Sequence, residues 1–121
     1  PPFQKDMLAL VAAALAALGP TVDIAPGVAM PTINLGTCCG SEPSVGLDSW
    51  LGAGATGIDT AWDYHDQADI KAVLARHPSM RREQLFITTK VPAGFGNASD
   101  CDPDPDLTVR YAKQNLALLG V

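Results

Sequence analysis

Residues 54–70 read GATGIDTAWDYHDQADI, and the fold follows from how this stretch divides. Gly57-Ile58-Asp59 is a compact strand that closes on a carboxylate, and the residues from Thr60 to Tyr64 read as a loop. Ile70, Val73 and Leu74 then mark one face of a helix that fades out at His77-Pro78, because the residue before a proline is pushed away from helical geometry.

The same order recurs on both sides. Upstream, Ile33 to Gly36 is a brief apolar run ending in glycine, and a polar and small stretch follows it through Pro43. Val45, Leu47, Trp50 and Leu51 then recur at helical spacing until Gly52-Ala53-Gly54. Downstream, Leu85 to Thr89 (LFITT) is rich in strand formers and ends at Lys90, before a long loop of Gly, Asn, Asp and Pro. Leu107, Val109, Tyr111, Leu116, Leu118 and Leu119 mark a third helix. Ahead of all this, Thr21 to Pro31 alternates apolar and polar positions around Pro26-Gly27, which predicts a short hairpin outside the main sheet.

Strand and helix in threefold alternation imply a parallel sheet covered by helices, hence an α/β fold. Periodicity alone leaves two architectures open: a small doubly wound sheet, or three units of a (β/α)8 barrel, whose full length is about 250 residues. Gly94-Phe95-Gly96 lacks the third glycine of a dinucleotide-binding fingerprint, so that motif is unsupported.

Composition excludes several classes. The 121 residues are 47% apolar and 17% charged, too oily for a disordered segment and too interrupted by charge for a membrane protein. A net charge of -5 offers no basic field to gather phosphates, which argues against nucleic acid or an anionic membrane as a partner. Met7 to Leu18 is a twelve-residue apolar run, MLALVAAALAAL. It is shorter than the roughly 20 residues that cross a bilayer, and two readings fit it equally: a targeting core or an alanine-rich surface helix. Residues 1–20 are therefore set apart from a domain spanning 21–121. The expected compartment is the cytoplasm, with a secretory or organellar route if residues 7–18 are a targeting core. Three cysteines is an odd count, and the adjacency of Cys38 and Cys39 argues against a disulfide, leaving reduced thiols as the expectation. His65 and His77 stand far from any cysteine pair at metal spacing, so no metal is expected.

Asp59, Tyr64 and Lys90 each fall at or just after the C-terminal end of a predicted strand, the edge where reacting groups collect in parallel α/β folds. An ordinary tyrosine, with a pKa near 10, exchanges protons poorly at neutral pH, but a neighbouring ammonium favours its phenolate. Lys90 supplies such a charge, and a carboxylate such as Asp59 would keep it protonated and aimed. Spacing alone favours a structural Asp–Lys salt bridge over a catalytic relay.

Resemblance moves that balance. GATGIDTAWDYHDQADI (54–70) followed by REQLFITTKV (82–91) resembles the segments of the aldo-keto reductases that carry their catalytic Asp and Tyr and, on a later strand, their Lys. The similarity extends upstream to GVAMPTINLGT (27–37) and downstream to KQNLALLGV (113–121), covering roughly residues 27 to 121. It implies the first three βα units of a (β/α)8 barrel preceded by a short hairpin. It also implies NADPH-dependent reduction of an aldehyde or ketone, with NADH as the alternative cofactor and a small-molecule carbonyl compound as the partner. Tyr64 would protonate the carbonyl oxygen, Lys90 would assist Tyr64, and Asp59 would support Lys90. Gly36 and Thr37, together with Asp59, would lie against the cofactor. Cys38 departs from the bulky aromatic residue that many members place at this point of the substrate pocket, and Trp62 is either a pocket wall or a packing residue. The family's fourth catalytic residue, a histidine on the next strand, is expected beyond Val121. The 121 residues alone are thus expected to be a truncated and largely inactive piece, or an interaction module that keeps the motif. No oligomeric state follows from the sequence.

The remaining candidates have simpler readings. His65 is expected to be a solvated loop residue, His77 a helix cap, and Cys101 an ordinary thiol without a basic partner. The DCDPDPD run (100–106) is interrupted by prolines and lacks the glycine and glutamate of a calcium loop, so Asp104 or Asp106 is expected to cap the third helix.

Overall fold

The computed structural model describes residues 19–92 and 104–121; the apolar run at 7–18 and Cys101 lie outside them. β1 (Thr21–Ala25) and β2 (Val28–Pro31) form an antiparallel hairpin in which Val22 faces Met30 and Asp23 faces Ala29. The turn between them is made by Pro26-Gly27, with Gly27 at φ +74°, a left-handed conformation that glycine adopts without steric penalty.

Three short strands form the second sheet in the order β3 (Leu35–Gly36), β4 (Gly57–Asp59), β5 (Phe86–Thr88), all parallel. α1 (Pro43–Gly52) joins β3 to β4, α2 (Gln67–Ala75) joins β4 to β5, and α3 (Pro105–Leu119) follows β5. Strand–helix alternation is thus as the sequence pattern predicts, but the strands are shorter than the apolar runs. Ile33 is exposed, and Asn34 turns its side-chain amide back to donate to the Pro31 carbonyl, so neither extends β3.

Local chemistry sets the helix ends. Pro43 and Pro105 stand in the first turns of α1 and α3, where a missing N–H costs nothing. The Asp104 carboxylate accepts from the Asp106 amide and so is the N-cap expected from the sequence. α3 ends at Gly120 in the left-handed region, with the amides of Gly120 and Val121 turned back onto Leu116 and Ala117.

α1 packs on α2 and α2 on α3. Leu47 and Leu51 of α1 and Ile70 and Val73 of α2 present one face of each helix to Ile58 of β4, with Leu85 and Leu119 closing the cluster. Each such side chain contributes about 1.5–3 kcal/mol by leaving water. α3 differs from the pattern expected of it: its fully buried positions are Asn115 and Leu119, whereas Val109, Leu116 and Leu118 are exposed. Among the described residues, no helix is long and apolar enough to cross a membrane.

Gly57 is fixed by close approach rather than by conformation. A Cβ there would run into the side-chain amide of Asn34 and the Ile33 carbonyl, so only a bare backbone lets β4 lie against the chain entering β3.

Candidate active site

Gly36, Asp59 and Thr88 lie side by side across the sheet, so the residues that follow all three strands leave it on one level. Backbone hydrogen bonds extend that alignment past the strand ends. The Thr37 amide donates to the Asp59 carbonyl at 3.0 Å, the Thr60 amide to Thr88 at 2.8 Å, and the Trp62 amide to Lys90 at 2.9 Å. Thr37 is buried and also turns its hydroxyl toward the Asp59 carbonyl, 3.3 Å away.

On this ledge Lys90 Nζ donates to Asp59 Oδ1 at 2.6 Å, to the Thr60 carbonyl at 3.0 Å and to Tyr64 Oη at 3.5 Å. An ammonium has three donors, and each has an acceptor here. The same nitrogen lies 5.1 Å from the centre of the Tyr64 ring. Tyr64 arrives by a single 3-10 turn, Trp62–Tyr64, which His65 ends at φ +56°. Desolvation is the largest single influence on Lys90 and pulls its pKa down. The hydrogen bond and charge of Asp59, aided by Tyr64, outweigh it, and the net shift is upward.

A buried amide pair underlies the ledge. Asn115 of α3 is fully buried; its Nδ2 donates to the Lys90 carbonyl at 2.9 Å, and its Oδ1 accepts from Gln67 Nε2 at 2.9 Å. Gln67 Nε2 also donates to the Ala61 carbonyl at 2.9 Å. Two helices thereby grip the two chain segments that carry Lys90 and Tyr64. Neither residue is singled out by the sequence reading. The available signal is that Asn115 stands four residues after Tyr111 and four before Leu119, a polar residue on the buried face of α3.

Beside the ledge lies a cleft of about 600 Å³ whose lining includes Tyr64, His65, Thr37, Cys38 and Cys39. Its charged walls are Glu42, Asp63, Asp66 and Asp69, and among the described residues no Lys or Arg lines it. Cys38 and Cys39 are joined by a disulfide, which corrects the expectation of free thiols at this pair. In extended backbone, neighbouring side chains diverge. Cys39 instead adopts the left-handed conformation at φ +65°, ahead of Gly40 at φ +95°, and the alternation is broken. Trp62 packs edge to face on Tyr111 of α3, ring centres 4.9 Å apart. His65 is exposed on the cleft wall. His77 does more than end a helix: its Nε2 lies 3.0 Å from Asp48 Oδ1, which also receives Arg76. Among the described residues, no group of three or more His, Cys, Asp or Glu side chains is placed to hold a metal ion.

No protein-family model matches the chain. Its α/β fold is that of the aldo-keto reductases: a Bombyx mori aldo-keto reductase solved in complex with NADP superimposes with a TM-score of 0.68 at 26% identity, covering 86% of this chain and 35% of that one. In sequence the chain resembles the morphine 6-dehydrogenase of Pseudomonas putida, at 28% identity over 109 residues, 88% of this chain and 34% of that protein. It also resembles the NADP(+) glycerol 2-dehydrogenase of Hypocrea jecorina, at 32% identity over 79 residues, 59% of this chain and 25% of that protein. The chain spans about a third or less of the length of these relatives.

Proposed function

We propose that this chain provides three βα units of a (β/α)8 barrel and the acid-bearing part of an NADPH-dependent carbonyl reductase active site, with NADH as the alternative cofactor. The observation that carries the reading is the convergence of Tyr64, Lys90 and Asp59 from separate segments onto one sheet edge, with Lys90 Nζ bonded to both partners. Two of the relatives are named or solved with NADP, which supports the choice of cofactor.

The residues present fit the reactive end of such a cofactor better than its phosphates. Gly36 offers bare backbone with open space where a side chain would stand, and Lys90 and Asp59 are 43% and 37% exposed beside it. Gly36, Thr37 and Asp59 would hold the nicotinamide end, whereas the acidic cleft walls would repel phosphate. When bound, the cofactor supplies a hydride to the carbonyl carbon.

The chain's own residues manage the proton. Tyr64 Oη accepts a hydrogen bond from Lys90 and is left to donate its own proton to the carbonyl oxygen of a small substrate. The Lys90 ammonium stabilises the negative charge that appears on Tyr64 as the proton leaves. Asp59 holds Lys90 protonated and pointed at Tyr64, and Asn115 with Gln67 keeps the backbone of both segments in place. Cys38 lines the cleft that would receive the substrate and is assigned to the pocket wall, whereas Trp62, which packs on Tyr111 and is not among the residues lining that cleft, is assigned to packing.

The test is NADPH consumption with a panel of small aldehydes and ketones, using protein expressed from the whole reading frame that contains these residues. Tyr64→Phe should slow turnover by about 10²- to 10⁴-fold while leaving far-ultraviolet circular dichroism and the melting temperature unchanged. A Tyr64→Phe protein that turns over at the parental rate removes Tyr64 as the acid. A parental protein that binds partners but reduces no carbonyl compound supports an interaction module instead.

A further inference from the structure

We infer that Cys38 and Cys39 form a thiol–disulfide exchange site on the cleft, one that reacts with small disulfides and prefers cationic ones. The pair is bridged, yet the bridge joins neighbours in sequence. A disulfide stabilises a fold chiefly by closing a chain loop, and this one encloses none, so it staples no distant elements together. It stands instead at a reactive surface. Both cysteines line the cleft that Tyr64 also lines, with Cys39 exposed and Cys38 half-buried.

Exposure assigns the order of events. In the reduced pair, the Cys39 thiolate attacks one sulfur of a small disulfide; a bond forms between Cys39 and that sulfur, and the other half leaves as a thiolate. The Cys38 thiolate then attacks Cys39 Sγ, closing the bridge and expelling the second half. Two electrons pass from the pair to the small disulfide, and the two cysteine protons end on the two released thiols. Excess small thiol runs the same steps backward. No oxidant other than the disulfide is needed.

The cleft walls select the reagent. Glu42, Asp63, Asp66 and Asp69 put four carboxylates on the cleft that the pair lines, and among the described residues no Lys or Arg lines it to offset them. That field draws in a disulfide bearing ammonium groups and repels one bearing carboxylates, and salt screens both effects.

The experiment uses protein expressed from the whole reading frame with Cys101→Ser, and peptide mapping restricts the readout to the peptide that carries residues 38 and 39. The protein is reduced, freed of reductant and exposed to cystamine or to glutathione disulfide, and the products are read by intact mass and peptide mapping. The expected product has lost two hydrogens and retains no adduct. Cystamine should react several-fold faster than glutathione disulfide at low ionic strength, and the gap should shrink in salt and in urea. Adding Cys38→Ser should trap a mixed disulfide on Cys39. The site is overturned if the thiols stay free, or if the unmutated pair keeps the adduct instead of closing. The class of reagent is overturned if glutathione disulfide matches cystamine at low salt in the folded chain. All readings are masses and rates of modification, so the result stands apart from whether the protein reduces carbonyl compounds.

Discussion

Lys90 Nζ and Asp59 Oδ1 meet at 2.6 Å across two adjacent parallel segments, and the same nitrogen reaches Tyr64 at 3.5 Å. Because Lys90 is raised in the folded chain, its contribution to stability is fully present below the unfolded lysine value of about 10.4 and is lost as pH rises through the higher folded value. Denaturant unfolding followed from neutral to strongly alkaline pH should therefore show a loss in the parental chain that Asp59→Asn lacks. With both side chains more than a third exposed, the difference should stay within about 1 kcal/mol. An alkaline limb of equal size in both proteins would mean that the pair does not couple to folding.

Asp48 gives the opposite sign. The hydrogen bond from His77 is the largest influence on its pKa and lowers it; desolvation comes next and opposes it, and the charge and hydrogen bond of Arg76 with the charge of His77 keep the net shift downward. A depressed carboxylate stabilises the fold above its unfolded value of about 3.9 and loses that contribution as pH falls through the lower folded value. Replacing Asp48 by Asn should flatten the acid limb of stability in this region and leave the neutral-pH site undisturbed. Nuclear magnetic resonance titration of the Asp48 carboxyl would show the shift directly; an ordinary value would contradict it.

Asn115→Leu removes a donor to the Lys90 carbonyl and the acceptor that holds Gln67. Leaving Gln67 Nε2 with less than its partners and the Lys90 carbonyl short of a donor should cost about 1–3 kcal/mol. A double-mutant cycle with Gln67→Leu should recover part of that loss, since the two amides depend on each other. Strict additivity would show that they act separately.

Gly57→Ala should destabilise by about 1–3 kcal/mol, because the new methyl group meets Asn34 and the Ile33 carbonyl. Pairing it with Asn34→Ala relieves the side-chain half of the clash and should restore some stability. Thermal melting of the two variants decides the matter; an unaffected Gly57→Ala protein would show that the segment entering β3 yields freely.

Much of this is legible in the sequence because the signals are local. Asp59 closes β4 and Lys90 lies two residues past β5, Tyr64 follows in a short loop, and parallel pairing places strand ends together, so their gathering at one edge is foreshadowed by spacing. The Asn115–Gln67 pair was not readable, since the two are 48 positions apart and each looks like an ordinary helix-surface amide until α2 and α3 pack. The Cys38–Cys39 bridge was hidden by a backbone choice: nothing in the letters announces that Cys39 takes φ +65°. Apolar spacing also overstated the buried face of α3, where Leu116 and Leu118 are exposed.

The level alignment of Gly36, Asp59 and Thr88 has a further consequence. The ledge is held by main-chain hydrogen bonds that do not depend on side-chain identity, while residues 38–42 hang beyond it and form one wall of the cleft. On the reading proposed above, proton handling and ligand choice are thus built on separate foundations. Evolution, or an engineer, can rewrite the wall at Cys38 and its neighbours to admit a different molecule without retuning the lysine and carboxylate behind it.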